Sequence, residues 1–127
     1  MKIIIDDIPA SQNQVYNWHW AKRKEYKDYW ETLVWAEIKN QKLQKINGQV
    51  EIEITFCFRT KRLYDFDNLL GGCKGLFDGL KQHLIKDDNI DIIKSLKLMS
   101  KRVGRECKKD YTEIEIEKYI DKNKEKL

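Results

Sequence analysis

The sequence predicts an α+β domain, a small mixed or antiparallel sheet of about four strands with two main helices packed on one face. Three observations predict it. Val50, Ile52, Ile54, Phe56 and Phe58 alternate strictly with Glu51, Glu53 and Thr55, the period of a half-buried strand. Over residues 21–45, Tyr26, Trp30, Leu33, Val34 and Ile38 recur at helical spacing instead. Over residues 68–83 the same spacing returns in Leu69, Cys73, Leu76, Phe77 and Leu80. At 127 residues the chain suits one domain with a modest core.

The remaining elements follow in order. Residues 2–5 read as a short strand, ended by Asp6-Asp7-Ile8-Pro9. Residues 10–20 are polar, then aromatic, and read as a loop. That loop holds Trp18 and Trp20, on which an exposed base could stack. Trp30 and Trp35 belong to the first helix and its core, and Asn47-Gly48 closes that helix. After the second helix, Ile90, Ile92, Leu96 and Leu98 mark a strand, and residues 111–119 mark another through Ile114 and Ile116. Residues 121–127 form a charged tail expected to fray.

The net charge of +4 is mild, but its distribution is not even. Lys94, Lys97, Lys101, Arg102, Arg105, Lys108 and Lys109 face a single acid, Glu106, over residues 94–109. Arg59, Lys61 and Arg62 form a second group, and Lys22, Arg23, Lys24 and Lys27 a third. Such groups are an electrostatic footprint for a polyanion, although each alone reads equally well as a solvated face. Cys57, Cys73 and Cys107 are odd in number and lack CxxC spacing, which suits neither a disulfide framework nor a zinc site. No run approaches a signal sequence or a membrane span, so a cytoplasmic protein is expected.

The acids suggest chemistry. Asp65-Phe66-Asp67-Asn68 and Asp87-Asp88 bracket a glycine-rich helical segment. Hard divalent cations take oxygen ligands from one or two carboxylates plus substrate phosphates. At about 100° per residue, Asp67, Lys74 and Asp78 share one stripe of a continuous helix, with only Gly71 between them. Asp87 and Asp88 lie beyond its far end, so the chain must return for them to join. Carboxylates gathered this way could hold Mg²⁺ for phosphodiester displacement, with a lysine neutralising the phosphate. Blander readings stand beside this one. Asp67 reads as a helix cap, Lys74 and Asp78 as an i,i+4 pair, and Asp87-Asp88-Asn89 as a turn. Gly71, Gly72, Gly75 and Gly79 demand close approach of another backbone, within the chain or across a dimer. His19, between Trp18 and Trp20, is a candidate general base or a packing and phosphate-contact residue.

The run RLYDFDNLLGGCKGLFDGLKQHLIKDDNID resembles the signature of RusA-type Holliday junction resolvases, especially their phage and prophage members. Residues 8–13 and Trp20, Arg23 and Trp30 are similar to that family's N-terminal segment, and the likeness spans most of residues 5–95. It implies a single nuclease domain over residues 1–120. It also implies Asp65, Asp67 and Asp88 as catalytic metal-binding carboxylates, with Lys74 as the catalytic lysine. Lys74 is aligned through its spacing to Asp78, because Gly71 occupies the place one turn after the second Asp where the compact family pattern has lysine. The cofactor implied is Mg²⁺, with Mn²⁺ able to substitute. The partners implied are branched DNA, above all the four-way junction, and a second copy of the chain in a homodimer making paired symmetric cuts. Arg59, Lys61, Arg62, Lys97, Lys101, Arg102 and Arg105 would contact phosphates, and Asn68, Asp87 and His19 would support the site. Two rivals remain. A metal-dependent nucleotide or nucleotide-sugar enzyme would want a phosphate-cradling glycine loop, which is missing here. A branched-DNA-binding protein that has lost turnover would keep the same basic groups.

Overall fold

The alternating run forms the strand that organises the molecule. In a computed structural model, which describes residues 1–60 and 65–121, it is β2 (Val50–Phe58), inside a four-stranded mixed sheet. The other elements are β1 (Lys2–Ile5), α1 (Gln12–Tyr16), α2 (Trp20–Asn40), α3 (Phe66–Gly71), α4 (Lys74–His83), β3 (Ile93–Arg102) and β4 (Tyr111–Lys118). The strand order is β1-β4-β2-β3. β4 runs antiparallel to β1 and β2, whereas β3 is parallel to β2. Parallel neighbours need a crossover, and α3 and α4 supply it.

One face of the sheet is covered and the other open. Val50, Ile52, Ile54 and Phe56 face the core together with Ile3, Ile5, Ile114 and Ile116. Trp30, Val34 and Ile38 of α2 and Leu76 and Leu80 of α4 pack over them. Each such Ile or Leu contributes about 1.5–3 kcal/mol through burial. Trp35 does not join this core. It is exposed, one step round the helix from the buried Val34.

The glycines explain how the helices come so close. A Cβ on Gly75 would lie 2.4 Å from the Lys27 carbonyl oxygen of α2, and one on Gly79 would lie 2.9 Å from the Val34 Cβ. The close approach is thus made within the chain.

Five local expectations change, one of them at β3, which starts at Ile93 and leaves Ile90 and Ile92 in the turn before it. Residues 10–20 are not all loop, because Ser11 caps α1 by accepting the Gln14 N–H. Trp20 opens α2 rather than lying in the loop. α2 also ends before Asn47-Gly48. Lys42, at φ 54°, takes the left-handed position, and the Leu43 N–H reaches back to the Ile38 carbonyl at 3.0 Å. The expected helix over residues 68–83 is two helices. At Gly72 and Cys73 the N–H groups bond three residues back, to Leu69 and Leu70, and the helix axis restarts at Lys74. The break lies where Ala10 crosses, so close that a Cβ on Gly72 would sit 1.8 Å from the Ala10 carbonyl oxygen. Among the described residues, no helix is long and apolar enough to cross a membrane.

Candidate active site

The break between α3 and α4 decides where the acids go. Asp65 is the residue before α3 and makes no side-chain cap bond, while Asp67 lies one position inside the helix. Asp67 is therefore not the cap, although its Oδ1 accepts the Asn68 N–H at 3.0 Å. Both acids are exposed at the positive end of α3, where negative charge is favoured. With the helix interrupted, Asp67 no longer shares a continuous stripe with Lys74 and Asp78.

Lys74 is instead the first residue of α4, exposed, at a helix N-terminus. A cation gains nothing there from the helix dipole, so the position suits a lysine that meets an anion. Asp78, one turn on, forms its ion pair across to α2, with Lys27 Nζ at 3.1 Å from Asp78 Oδ2. The bonded carboxylate holds the Lys27 ammonium above its ordinary value. The predicted Lys74–Asp78 pair is thus replaced by an interhelical one.

The return of the chain after α4 brings Asp88 back toward Lys74. Leu70, Lys74, Asp78, Lys81, Asp88 and Asn89 all line one open cavity of about 600 Å³ between α4 and β3. Asp87 and Asp88 are both tethered to Lys81, at 3.6 and 4.0 Å. The Asp88 N–H also donates to Asp87 Oδ1 at 2.7 Å, and this bond, helped by Lys81, holds the Asp87 carboxyl below its ordinary range. Lys81 was not singled out from the sequence. Its partners lie past the end of α4, where helical spacing no longer applies, so no local pattern marks it. Asp65 and Asp67 do not line this cavity.

Exposed carboxylates are the donors that a hard cation takes. Among the described residues, no group of three His, Cys, Asp or Glu side chains stands close enough to hold a metal. The residues fit a Mg²⁺ site built on one or two carboxylates and completed by a substrate phosphate, the usual arrangement for that ion.

A second cavity, of about 580 Å³, lies on the other side of Lys74. Tyr16, Trp20, Arg23, Lys24 and Lys27 line it, and Gly71 and Lys74 belong to both cavities. His19 serves as the cap of α2, its Nδ1 accepting the Ala21 N–H at 3.3 Å. Trp18 is held edge-on against Tyr26 at 5.0 Å, beneath Lys22 Nζ at 4.4 Å.

The basic residues predicted to meet phosphate are dispersed. Arg59 follows β2 and its N–H donates to Asp110 Oδ1 at 2.8 Å. Lys61 and Arg62 lie outside the described residues. Lys97 and Lys101 stand on the open face of the sheet, in register with Glu53 and Cys57, whereas Arg102 is in register with Phe58 on the opposite face. Arg105 lies exposed in the turn after β3.

Residues 8–122 match the family model described as Endodeoxyribonuclease RusA. No curated protein matches the chain. The matched span takes in the crossover, both cavities and every candidate site acid, and it makes the protein a nuclease. The chain belongs to the RusA endodeoxyribonuclease family.

Proposed function

We propose that the protein is a divalent-metal-dependent endonuclease that resolves four-way DNA junctions by paired phosphodiester hydrolysis, acting as a twofold homodimer. The observation that carries this reading is the position of Lys74. It stands at the head of α4, between a cavity bearing Asp88 and a basic groove bearing Arg23 and Lys24. A phosphate at that boundary would find cations on one side and carboxylates on the other.

One or two of the carboxylates Asp65, Asp67 and Asp88, completed by a substrate phosphate, would hold the cation, Mg²⁺ or Mn²⁺. When bound, the ion supplies Lewis-acid polarisation of the phosphoryl oxygens and a lowered pKa for water. Lys74 balances charge that develops on the phosphate. Asn68, next to Asp67, is placed to orient its neighbour, and Asp87 keeps Lys81 and Asp88 in place. A twofold dimer would match the approximate symmetry of a junction, since isologous contacts repeat one site on each half.

The test is a synthetic four-way junction incubated with the protein and Mg²⁺. Paired symmetric cuts are expected. Asp67→Asn should abolish cutting and leave junction binding intact. A fully active Asp67→Asn removes the metal assignment, and binding without any cutting by the wild type leaves a branched-DNA-binding protein in its place.

A further inference from the structure

We propose that the groove between α1, α2 and the start of α4 is a binding site for an unpaired nucleotide, whose base stacks on Trp20 and Tyr16. Trp20 is 65% exposed and Tyr16 64%, although both are large aromatics held in helices, Tyr16 at the end of α1 and Trp20 at the head of α2. They are not left loose. The Gln12 amide donates to the Tyr16 hydroxyl at 2.6 Å, and the His19 ring packs against the Trp20 indole at 5.4 Å. Trp18, by contrast, is already occupied by Tyr26 and Lys22.

The groove these rings border is cationic. Arg23, Lys24 and Lys74 line it, Lys27 is neutralised by Asp78, and no acid is among its described lining residues. Its other wall is the glycine run Gly71, Gly72 and Gly75, packed closely against Gln12, Ala10 and Lys27. The volume, about 580 Å³, falls within the range of ligand-holding pockets, roughly 300–1,000 Å³. Cations that meet phosphate, beside rings that meet a base, are the two parts of a single-strand site. A duplex offers phosphates and groove edges but hides the faces of its bases. Rings presented for stacking therefore serve a base that has left the helix. A branch point interrupts stacking and supplies such bases. That last link rests on the nuclease reading, whereas the binding itself does not.

The experiment measures binding of a short oligothymidylate, and of an oligouridylate, to the full chain by anisotropy and tryptophan emission. Wild type should bind oligothymidylate at least as tightly as oligouridylate, with quenched emission. Trp20→Ala should weaken binding by about 5- to 150-fold, the measured range for removing one stacking ring. Trp20→Phe, which keeps a ring, should restore most of it. Unchanged binding by Trp20→Ala overturns the proposal, and so does binding confined to the ribo-oligomer. A changed sedimentation coefficient in Trp20→Ala also overturns it, because the groove would then be a contact between copies. Junction cutting, followed in parallel, separates the two readings. Cutting by a wild type that does not bind the oligomer removes the groove alone. Binding without cutting supports the groove and removes the junction-resolving reading alone.

Discussion

On the open face of the sheet, Glu51, Glu53, Glu113, Glu115 and Glu117 run side by side along β2 and β4, with Lys97 opposite Glu53 in the register. In the groove between α1, α2 and α4, Arg23, Lys24 and Lys74 stand beside Tyr16 and Trp20 with no acid among the described lining. The two surfaces belong to one chain whose net charge is only +4. The difference teaches that the sum of charges says little about where a polyanion docks, and their segregation says a great deal. An acidic sheet face repels phosphate. Lys97 has acid neighbours, Glu51, Glu53, Glu115 and Glu117, that the groove cations lack. The helical groove has no such debit.

The largest effect that separates the two surfaces is catalytic. Lys74→Ala should lower junction cleavage by about 10²- to 10³-fold, the usual loss when one preorganised electrostatic partner is removed. Glu53→Gln, on the sheet face, should leave the rate unchanged. Single-turnover rates on a synthetic junction check both. Equal losses would place the DNA across both faces and dissolve the contrast.

Next is the packing that holds the groove open. Gly72→Ala sets a Cβ 1.8 Å from the Ala10 carbonyl oxygen, a collision with backbone that cannot swing aside. Overpacking of this kind costs about 1–3 kcal/mol, and this case belongs at or above the upper end. Gly48 has φ +93° but nothing within 4 Å, so Gly48→Ala pays only backbone strain, about 1–2 kcal/mol. Urea unfolding of both variants ranks them. A Gly48→Ala more damaging than Gly72→Ala would mean that Ala10 does not press on the helix break.

The third test reads binding alone. Removing Arg23 and Lys24 together deletes two cations from the groove. The slope of log affinity against log salt should become shallower by about 1.4 on single strands, at roughly 0.7 for each phosphate contact. The same double removal of Lys97 and Lys101 should shift it less. A larger shift from the strand lysines would move the phosphates to the sheet face.

These contrasts could be read from the sequence only in part, and the reason is range. Strict alternation in Val50 to Phe58 is a local signal, and it places β2 and its inward face without help. The capping signal of Ser11 with Gln14 was also local and could have revealed α1. The helix break at Gly72 depends on Ala10, far away in the chain, and so does not show as a period. The same holds for Asp88, which lines a cavity with Lys74 only because β3 lies parallel to β2 and turns the chain back. The family motif named Asp65, Asp67, Asp88 and Lys74, but not that two acids sit at the head of α3 while the third lines a cavity with the lysine. Trp20 and Trp18 differ by two residues, and only packing separates the exposed ring from the one held against Tyr26.

The smallest effect concerns the bond that ties the two helices beside the groove. Lys27 and Asp78 meet at 3.1 Å, with side chains 41% and 20% exposed, so solvent screens the pair. A double-mutant cycle through Lys27→Ala and Asp78→Ala should give a coupling of about 0.5 kcal/mol, within the range for exposed pairs. Its sign matters more than its size. If Asp78 serves α2, removing it frees Lys27 and makes the groove more cationic, so oligonucleotide affinity should rise slightly as stability falls. If Asp78 instead served Lys74, the same change should alter junction cutting first. Opposite movements of stability and affinity in Asp78→Ala thus identify the pair that the packing of α2 on α4 has chosen.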